Sequence, residues 1–79
     1  MKKINEQLWR KLFAENLKEI MNERGLTPID ISKMAGISQS TVSRILSAKT
    51  TASVKMIVNL SYSLRIKADR LVVFSELFK

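Results

Sequence analysis

Apolar residues recur at intervals of three and four along most of the chain, and turn-forming residues cut this pattern into segments. The first segment, residues 5–24, carries apolar side chains at Leu8, Trp9, Leu12, Phe13, Leu17, Ile20 and Met21. Such spacing places them on one face of an α-helix. Gly25 follows, and glycine is typical of a helix end in the left-handed conformation. Helical spacing with short connections therefore predicts an all-α fold.

The second segment, "LTPIDIS", has the residues that begin a helix. Thr27 is a good N-cap, Pro28 suits the first helical position, and Asp30 lies where its charge favours the helix dipole. We expect a helix over Pro28–Ala35, which points Ile31 and Met34 inward and ends at Gly36.

A third helix is expected over residues 39–47, with Ser38 as its cap. The spacing of Val42, Ile45 and Leu46 predicts that these three side chains are buried. The opposite face carries only polar side chains, namely Gln39, Ser40, Ser43, Arg44 and Ser47. Two short helices joined at a glycine corner, the second with a polar outer face, are typical of a helix-turn-helix.

A polar loop, "SAKTTAS", precedes a fourth helix that Ser53 can cap. Its predicted apolar face is formed by Val54, Ile57, Val58, Leu60 and Leu64. The last ten residues, "RLVVFSELFK", are unusually apolar for a chain end. We favour a helix there, which puts Leu71, Phe74 and Phe78 on one face, although "RLVVF" also has good strand propensity.

Charge is unevenly distributed along the 79 residues, whose formal net charge is +7. Residues 1–30 hold six basic and five acidic side chains, whereas residues 31–68 hold six basic side chains and no acidic one. A segment without carboxylates does not repel a polyanion. The charge pattern therefore favours a nucleic acid as partner, against the alternative of a merely soluble basic surface.

Residues for catalysis or metal binding are scarce. The chain has no histidine and no cysteine, which removes the commonest general base and the commonest metal ligands. Its two glycines form no phosphate-binding loop. We therefore expect a non-enzyme without cofactor or metal. No stretch has the apolar length of a signal peptide or a membrane span, so we also expect a cytoplasmic protein.

Residues 13–71 resemble the Xre/Cro family of lambda-repressor-like DNA-binding domains, most specifically in "ISKMAGISQSTVSRI". Gly36 matches the turn glycine of the family, Ile37 its apolar turn residue and Ser38 its cap, while Val42 and Ile45 match its buried positions. The resemblance implies a compact five-helix bundle, formed here by residues 1–79 as one domain. It also implies a homodimer that binds double-stranded DNA at a near-palindromic operator.

The same resemblance assigns the positions that contact DNA. Those facing the bases are Ser38, Gln39, Ser40, Ser43, Arg44 and Ser47, and those that often touch phosphate are Thr41, Lys49 and Thr50. The alternative is that Arg44 and Gln39 are only solvated helix residues. Lys33 and Lys55 are better explained as surface charges than as specific contacts.

Four residues depart from the family pattern, of which Ser32, in place of a usual small alanine, is a mild change. Pro28 stands where a glutamine often supports the recognition helix and touches phosphate, so that contact is lost or moves to Thr27 or to the N–H of Ile29. Arg65 replaces a frequent glycine after the fourth helix, so a left-handed conformation there would cost about 1 kcal/mol or more. Lys67 replaces a frequent serine cap, and the start of the fifth helix is therefore less well defined than the others.

The apolar tail, residues 72–79, exceeds what so small a domain can bury, and an exposed apolar patch of that size usually marks an interface. We expect the two-fold dimer contact at Val73, Phe74, Leu77 and Phe78, with Trp9 as a further candidate. The function expected is a transcriptional regulator, and more specifically a repressor. An antitoxin-type module that binds a toxin-like protein and autoregulates its promoter remains the alternative, and the sequence does not separate a phage switch from a restriction–modification controller.

Overall fold

Four α-helices account for most of residues 5–72, the part of the chain that the computed structural model describes. They are α1 (Glu6–Arg24), α2 (Pro28–Ala35), α3 (Gln39–Leu46) and α4 (Val54–Leu64), and a short 3₁₀ turn follows at Ala68–Arg70. No strand occurs in residues 5–72. The all-α prediction is confirmed. None of the described helices is both long and apolar enough to cross a membrane.

A side-chain cap begins each α-helix, at Thr27, Ser38 and Ser53 as predicted and also at Asn5. The Asn5 carboxamide accepts from the N–H of Leu8, and the Ser53 hydroxyl accepts from the N–H of Met56, both at 3.1 Å. At the start of α2, Thr27 and Asp30 form a reciprocal capping box, in which each side chain binds the other's backbone N–H. Each cap satisfies an N–H that has no partner within its helix.

A residue in the left-handed conformation follows each of the four helices, directly after α1, α2 and α4 and two positions after the end of α3. Two of these residues are Gly25 and Gly36, as predicted, and the other two are Ala48 and Arg65, with φ of 59° and 55°. In each case the next N–H donates to a carbonyl five residues earlier, as in the bond from Lys49 to Arg44 at 2.8 Å. This pattern is the Schellman motif, which turns the chain sharply.

One hydrophobic core joins the helices. α2 packs against α3 and α4, and α1 packs against α3. The fully buried large side chains are Phe13, Leu17, Ile20, Ile31, Val42, Leu60 and Leu71. Side-chain donors also bind main-chain carbonyls at helix ends, since the Asn59 carboxamide donates to the Ala35 carbonyl at 3.3 Å and the Arg24 guanidinium donates to that of Leu64. The first of these bonds holds the end of α2, and with it the corner before α3, against α4, and the second joins α1 to the end of α4.

Two expectations for the C-terminal half are wrong. Val54 and Val58 are 77% and 58% exposed, and Met56 is buried in their place, because the core lies against the side of α4 that carries Met56, Ile57 and Leu60. The count of five helices is also too high for residues 5–72, where the last element is one 3₁₀ turn. Lys67 precedes that turn and forms no side-chain cap. The tail helix expected from residue 73 onward lies outside the described residues.

Candidate nucleic-acid interface

The corner between α2 and α3 is set by the backbone of Gly36. Its φ of 68° and ψ of 36° lie in the left-handed region, and a Cβ there would meet no atom within 4 Å. Glycine is therefore favoured by its torsion angles rather than by lack of space. The N–H of Ile37 then donates to the Ser32 carbonyl at 3.1 Å, and the half-buried Ile37 side chain packs against the core.

Ser38 begins α3 and connects it to Thr41. The Ser38 hydroxyl accepts from the Thr41 N–H at 3.1 Å, and the two hydroxyl oxygens lie 2.9 Å apart. The predicted cap is confirmed. Ser38 remains exposed while it caps the helix, whereas Thr41 is half-buried. The first turn of α3 therefore presents an ordered pair of hydroxyl groups.

Two buried side chains hold α3 from behind. Val42 is 0% exposed and Ile45 is 2% exposed, and both belong to the core cluster; Leu46 is half-buried beside them. The residues predicted to face the bases lie on the opposite side and are all exposed: Ser38, Gln39, Ser40, Ser43, Arg44 and Ser47. The structure thus brings them onto one continuous outer surface, which we call the α3 face.

The loop after α3 brings two further predicted residues next to this face. The left-handed Ala48 turns the chain, and Lys49 then lies exposed with its N–H bonded to the Arg44 carbonyl. Thr50 follows and is half-buried. Sequence reasoning missed the special conformation of Ala48, because alanine gives no local signal for a positive φ.

The segment that carries the α3 face has basic but no acidic side chains. Arg44, Lys49 and Lys55 are exposed, and the segment from residue 31 to residue 68 contains no acidic side chain. The two ion pairs within residues 5–72 are Glu6–Arg10 and Glu23–Arg70, and both lie outside that segment. Arg44 on the α3 face and Lys49 directly after it are thus not paired with a carboxylate in the described part of the chain.

At the start of α2, the structure shows what becomes of Thr27 when proline follows it. Its hydroxyl accepts from the Asp30 N–H and donates to the Asp30 carboxylate at 3.0 Å. These bonds hold the pKa of Asp30 below its ordinary value, first through the backbone N–H of Thr27 and then through its hydroxyl. The Thr27 hydroxyl is therefore engaged in capping the start of α2.

The predicted dimer contact begins directly after the last described residue, Val72. Val73, Phe74, Leu77 and Phe78 lie outside them. Just before the tail, Leu71 and Val72 are buried in the core, and Trp9 is half-buried and packs on the same core. Trp9 thus has an intramolecular packing role, as ordinary core residues have.

Sequence reasoning also missed an exposed apolar stripe on α4. Val54, Val58 and Tyr62 are 77%, 58% and 86% exposed, and their spacing of four residues aligns them along one side of the helix. We call this set the α4 stripe. The sequence shows the spacing, but not which side of α4 the core occupies.

Comparison with known proteins agrees with this architecture. The family model described as helix-turn-helix matches residues 17–71, which include all of α2, α3 and α4. No curated protein matches the chain. One similar solved structure is the crystal structure of a transcriptional regulator from Listeria innocua, with 28% sequence identity and a TM-score of 0.71.

That similarity covers 77% of this chain, which spans only 57% of the length of the Listeria protein. The family match is more extensive than the corner itself, since it begins within α1 and ends at Leu71, beyond the 3₁₀ turn. The chain belongs to the helix-turn-helix family, in its Xre/Cro-like group of DNA-binding domains.

Proposed function

We propose that this chain binds double-stranded DNA sequence-specifically in the cytoplasm as a transcriptional regulator, and that it acts as a repressor. Its family membership supports DNA binding, and the Listeria regulator supports a role in transcription. One structural observation carries the proposal. The α3 face is wholly polar and exposed, while Val42 and Ile45 fix the helix from behind.

The side chains of the α3 face fit the geometry of a major groove. That groove is about 12 Å wide, so a helix enters it most easily when its leading residues are short. Ser40 and Ser43 meet this condition. Gln39 can bind the N6 and N7 edge of adenine, and Arg44 can bind O6 and N7 of guanine, which together supply sequence discrimination.

Lys49, Thr50 and Thr41 are proposed to bind phosphates. Lys49 is exposed in the loop directly after α3, and a backbone contact there fixes the register of α3 without reading the sequence. The absence of carboxylates in residues 31–68 leaves the attraction to phosphate unopposed from that segment.

A homodimer would bring two α3 helices into successive major grooves, about 34 Å apart on one side of a near-palindromic operator. We propose that the tail residues Val73, Phe74, Leu77 and Phe78 form its contact, because their apolar side chains exceed the needs of a small core. Sedimentation at tens of micromolar tests this. Phe74→Asp should yield monomers, and Val58→Asp on the exposed α4 stripe is the matched control. If only Val58→Asp dissociated the dimer, the dimer contact would lie on α4 and not in the tail.

Selection from a random duplex pool tests the function as a whole. We expect enrichment of a sequence with two inverted half-sites whose centres lie one helical turn apart. Enrichment of a single half-site would contradict the dimer but support specific binding. A pool that shows no enrichment, together with equal affinity for every duplex, would contradict sequence-specific regulation.

Two substitutions separate base reading from phosphate binding. Arg44→Ala should cost about 1–3 kcal/mol on the selected site and relax the preference at one position. Lys49→Ala should weaken binding to all duplexes similarly and lower the slope of log affinity against log salt by about one unit. An equal loss on scrambled DNA would mean that Arg44 binds phosphate instead.

The α4 stripe favours a second candidate, the antitoxin-type module. Val54, Val58 and Tyr62 offer apolar contact area on the side of α4 away from the core, which a toxin-like protein could cover. Co-expression with a neighbouring toxin-like reading frame tests it. A stable complex that Tyr62→Asp disrupts would support this candidate, and complete separation of the two chains would exclude that partner.

A further inference from the structure

Three side chains join the start of α1 to the loop between α3 and α4. Arg10 Nη2 donates to Glu6 Oε1 at 2.9 Å, and Arg10 Nε donates to Thr51 Oγ1 at 3.1 Å. The Thr51 hydroxyl closes the triangle by donating to Glu6 Oε1 at 3.0 Å. Thr51 lies 41 residues from Arg10 and 45 from Glu6 along the chain. We call these three residues the α1 tether.

The tether acts on the loop that carries the proposed phosphate contacts. Thr51 comes directly after Thr50 and two residues after Lys49. On the α3 side this loop is fixed by the left-handed Ala48, and on the α4 side by Ala52, which is 6% exposed. Between these points the tether provides the side-chain bonds that hold the loop to α1 in the described structure.

The two charged groups of the tether have opposite signs. The Thr51 hydroxyl, followed by the charge of Arg10, keeps the pKa of Glu6 below its ordinary value, so Glu6 is ionised at neutral pH. A carboxylate next to Arg10 offsets the charge that the guanidinium could offer to phosphate. Lys49, by contrast, forms no ion pair in the described part of the chain.

We propose that Glu6 and Arg10 are positioning residues for DNA binding, which act through Thr51 to hold the loop of Lys49 and Thr50 in the conformation that phosphates require. This inference rests on the proposed function. Glu6 and Arg10 lie before residue 17, where the family match begins. In this proposal the first two turns of α1 pre-order the loop, and pre-ordering reduces the entropy lost on binding.

Thr51→Val tests the proposal without changing charge or shape. In the free protein, amide hydrogen exchange at Lys49, whose N–H is bonded to the Arg44 carbonyl, should become about two- to fivefold faster, the range expected for exposed pairs. Affinity for the selected duplex should fall by a similar factor, with an unchanged salt slope. Unchanged exchange at Lys49 would overturn the proposal.

Two further variants distinguish positioning from direct contact. Glu6→Gln should weaken DNA binding relative to Glu15→Gln, which removes the same charge from α1 outside the tether. If both substitutions changed the DNA affinity equally, Glu6 would act only through its charge at a distance, and the proposal would be overturned. A salt slope lowered by about one unit in Arg10→Ala, with no effect of Thr51→Val, would make Arg10 a direct phosphate contact instead.

The failure of the inference is separable from that of the proposed function. A wild-type chain that binds no duplex overturns the proposed function and the positioning role with it. A wild-type chain that binds its selected site, together with a Thr51→Val variant of equal affinity, overturns the positioning role alone.

Discussion

Replacing Arg65 by glycine should stabilise the domain, although it removes an exposed charged side chain and adds no contact. Arg65 ends α4 with φ 55° and ψ 47°, and its N–H donates to the Tyr62 carbonyl at 3.3 Å. Glycine keeps this backbone bond and adopts the left-handed conformation without a clash of Cβ against the following carbonyl. In the folded state the substitution therefore acts on torsional strain alone.

The magnitude follows from two opposing terms. A left-handed conformation costs a non-glycine residue about 1–2 kcal/mol. Glycine also has more conformational freedom in the unfolded chain, which lowers the free energy of unfolding by about 0.5–1 kcal/mol. We expect a net increase of about 1 kcal/mol in the free energy of unfolding. For a domain of this size, that change raises the melting temperature by about 4–8 °C.

Urea denaturation followed by the fluorescence of Trp9, the only tryptophan, measures the effect. The midpoint should rise by roughly half a molar with an unchanged slope. Arg65→Lys retains both the charge and the left-handed strain, so it should differ from the wild type by less than about 0.5 kcal/mol. Gly36→Ala is the reverse experiment, because its added Cβ meets no atom within 4 Å, and it should lose about 1 kcal/mol. An Arg65→Gly variant no more stable than Arg65→Lys would refute the reasoning.

Three other predictions concern α2 and α3. Val42→Ala should lower the free energy of unfolding by about 2 kcal/mol in chemical denaturation, because Val42 is 0% exposed and its lost methyl groups leave a cavity; a loss under 0.5 kcal/mol would contradict its anchoring role. Ser38→Ala should cost about 1 kcal/mol through the lost cap of α3, whereas Ser40→Ala, the neighbouring control, should leave stability nearly unchanged. Asp30→Asn should reduce stability near neutral pH, since the lowered pKa of Asp30 gives a contribution that is fully present above the unfolded value of about 3.9 and is lost as the pH falls through the folded value. The stabilities of the wild type and of Asp30→Asn, measured by denaturation from neutral pH down to about pH 2, should therefore converge at the acid end. A difference in stability that is independent of pH would exclude the Asp30 carboxylate as its cause.

Most helix boundaries could be predicted because their signals are local. The caps at Thr27, Ser38 and Ser53 each use a side chain to bind an N–H three residues away, so the pattern is complete within four residues of sequence. Gly25 and Gly36 likewise adopt the left-handed ends that glycine permits. The predicted α2 bounds agree with the structure, and those of α1 and α3 differ by one residue.

Predictions for α4 and the segment after it were less accurate, for a physical reason. Val54, Ile57, Val58 and Leu60 all have apolar side chains at helical spacing, and the pattern is compatible with more than one buried face. Which face is buried depends on where α2 and the 3₁₀ turn pack, and these elements select Met56 while leaving Val58 exposed. At Ala48 and Arg65, tertiary packing imposes a conformation that neither residue type prefers.

The sequence by itself determined the helices, their caps, the glycine corner and the polar face of α3, because each depends on residues within about one or two turns of one another. The tertiary structure decided which side of α4 meets the core, that Ala48 turns left-handed, and that Arg10 reaches Thr51 across 41 residues. Those features arise only when elements distant in sequence pack together. The free energy that favours them comes from burial of apolar surface in the whole core, to which every segment contributes.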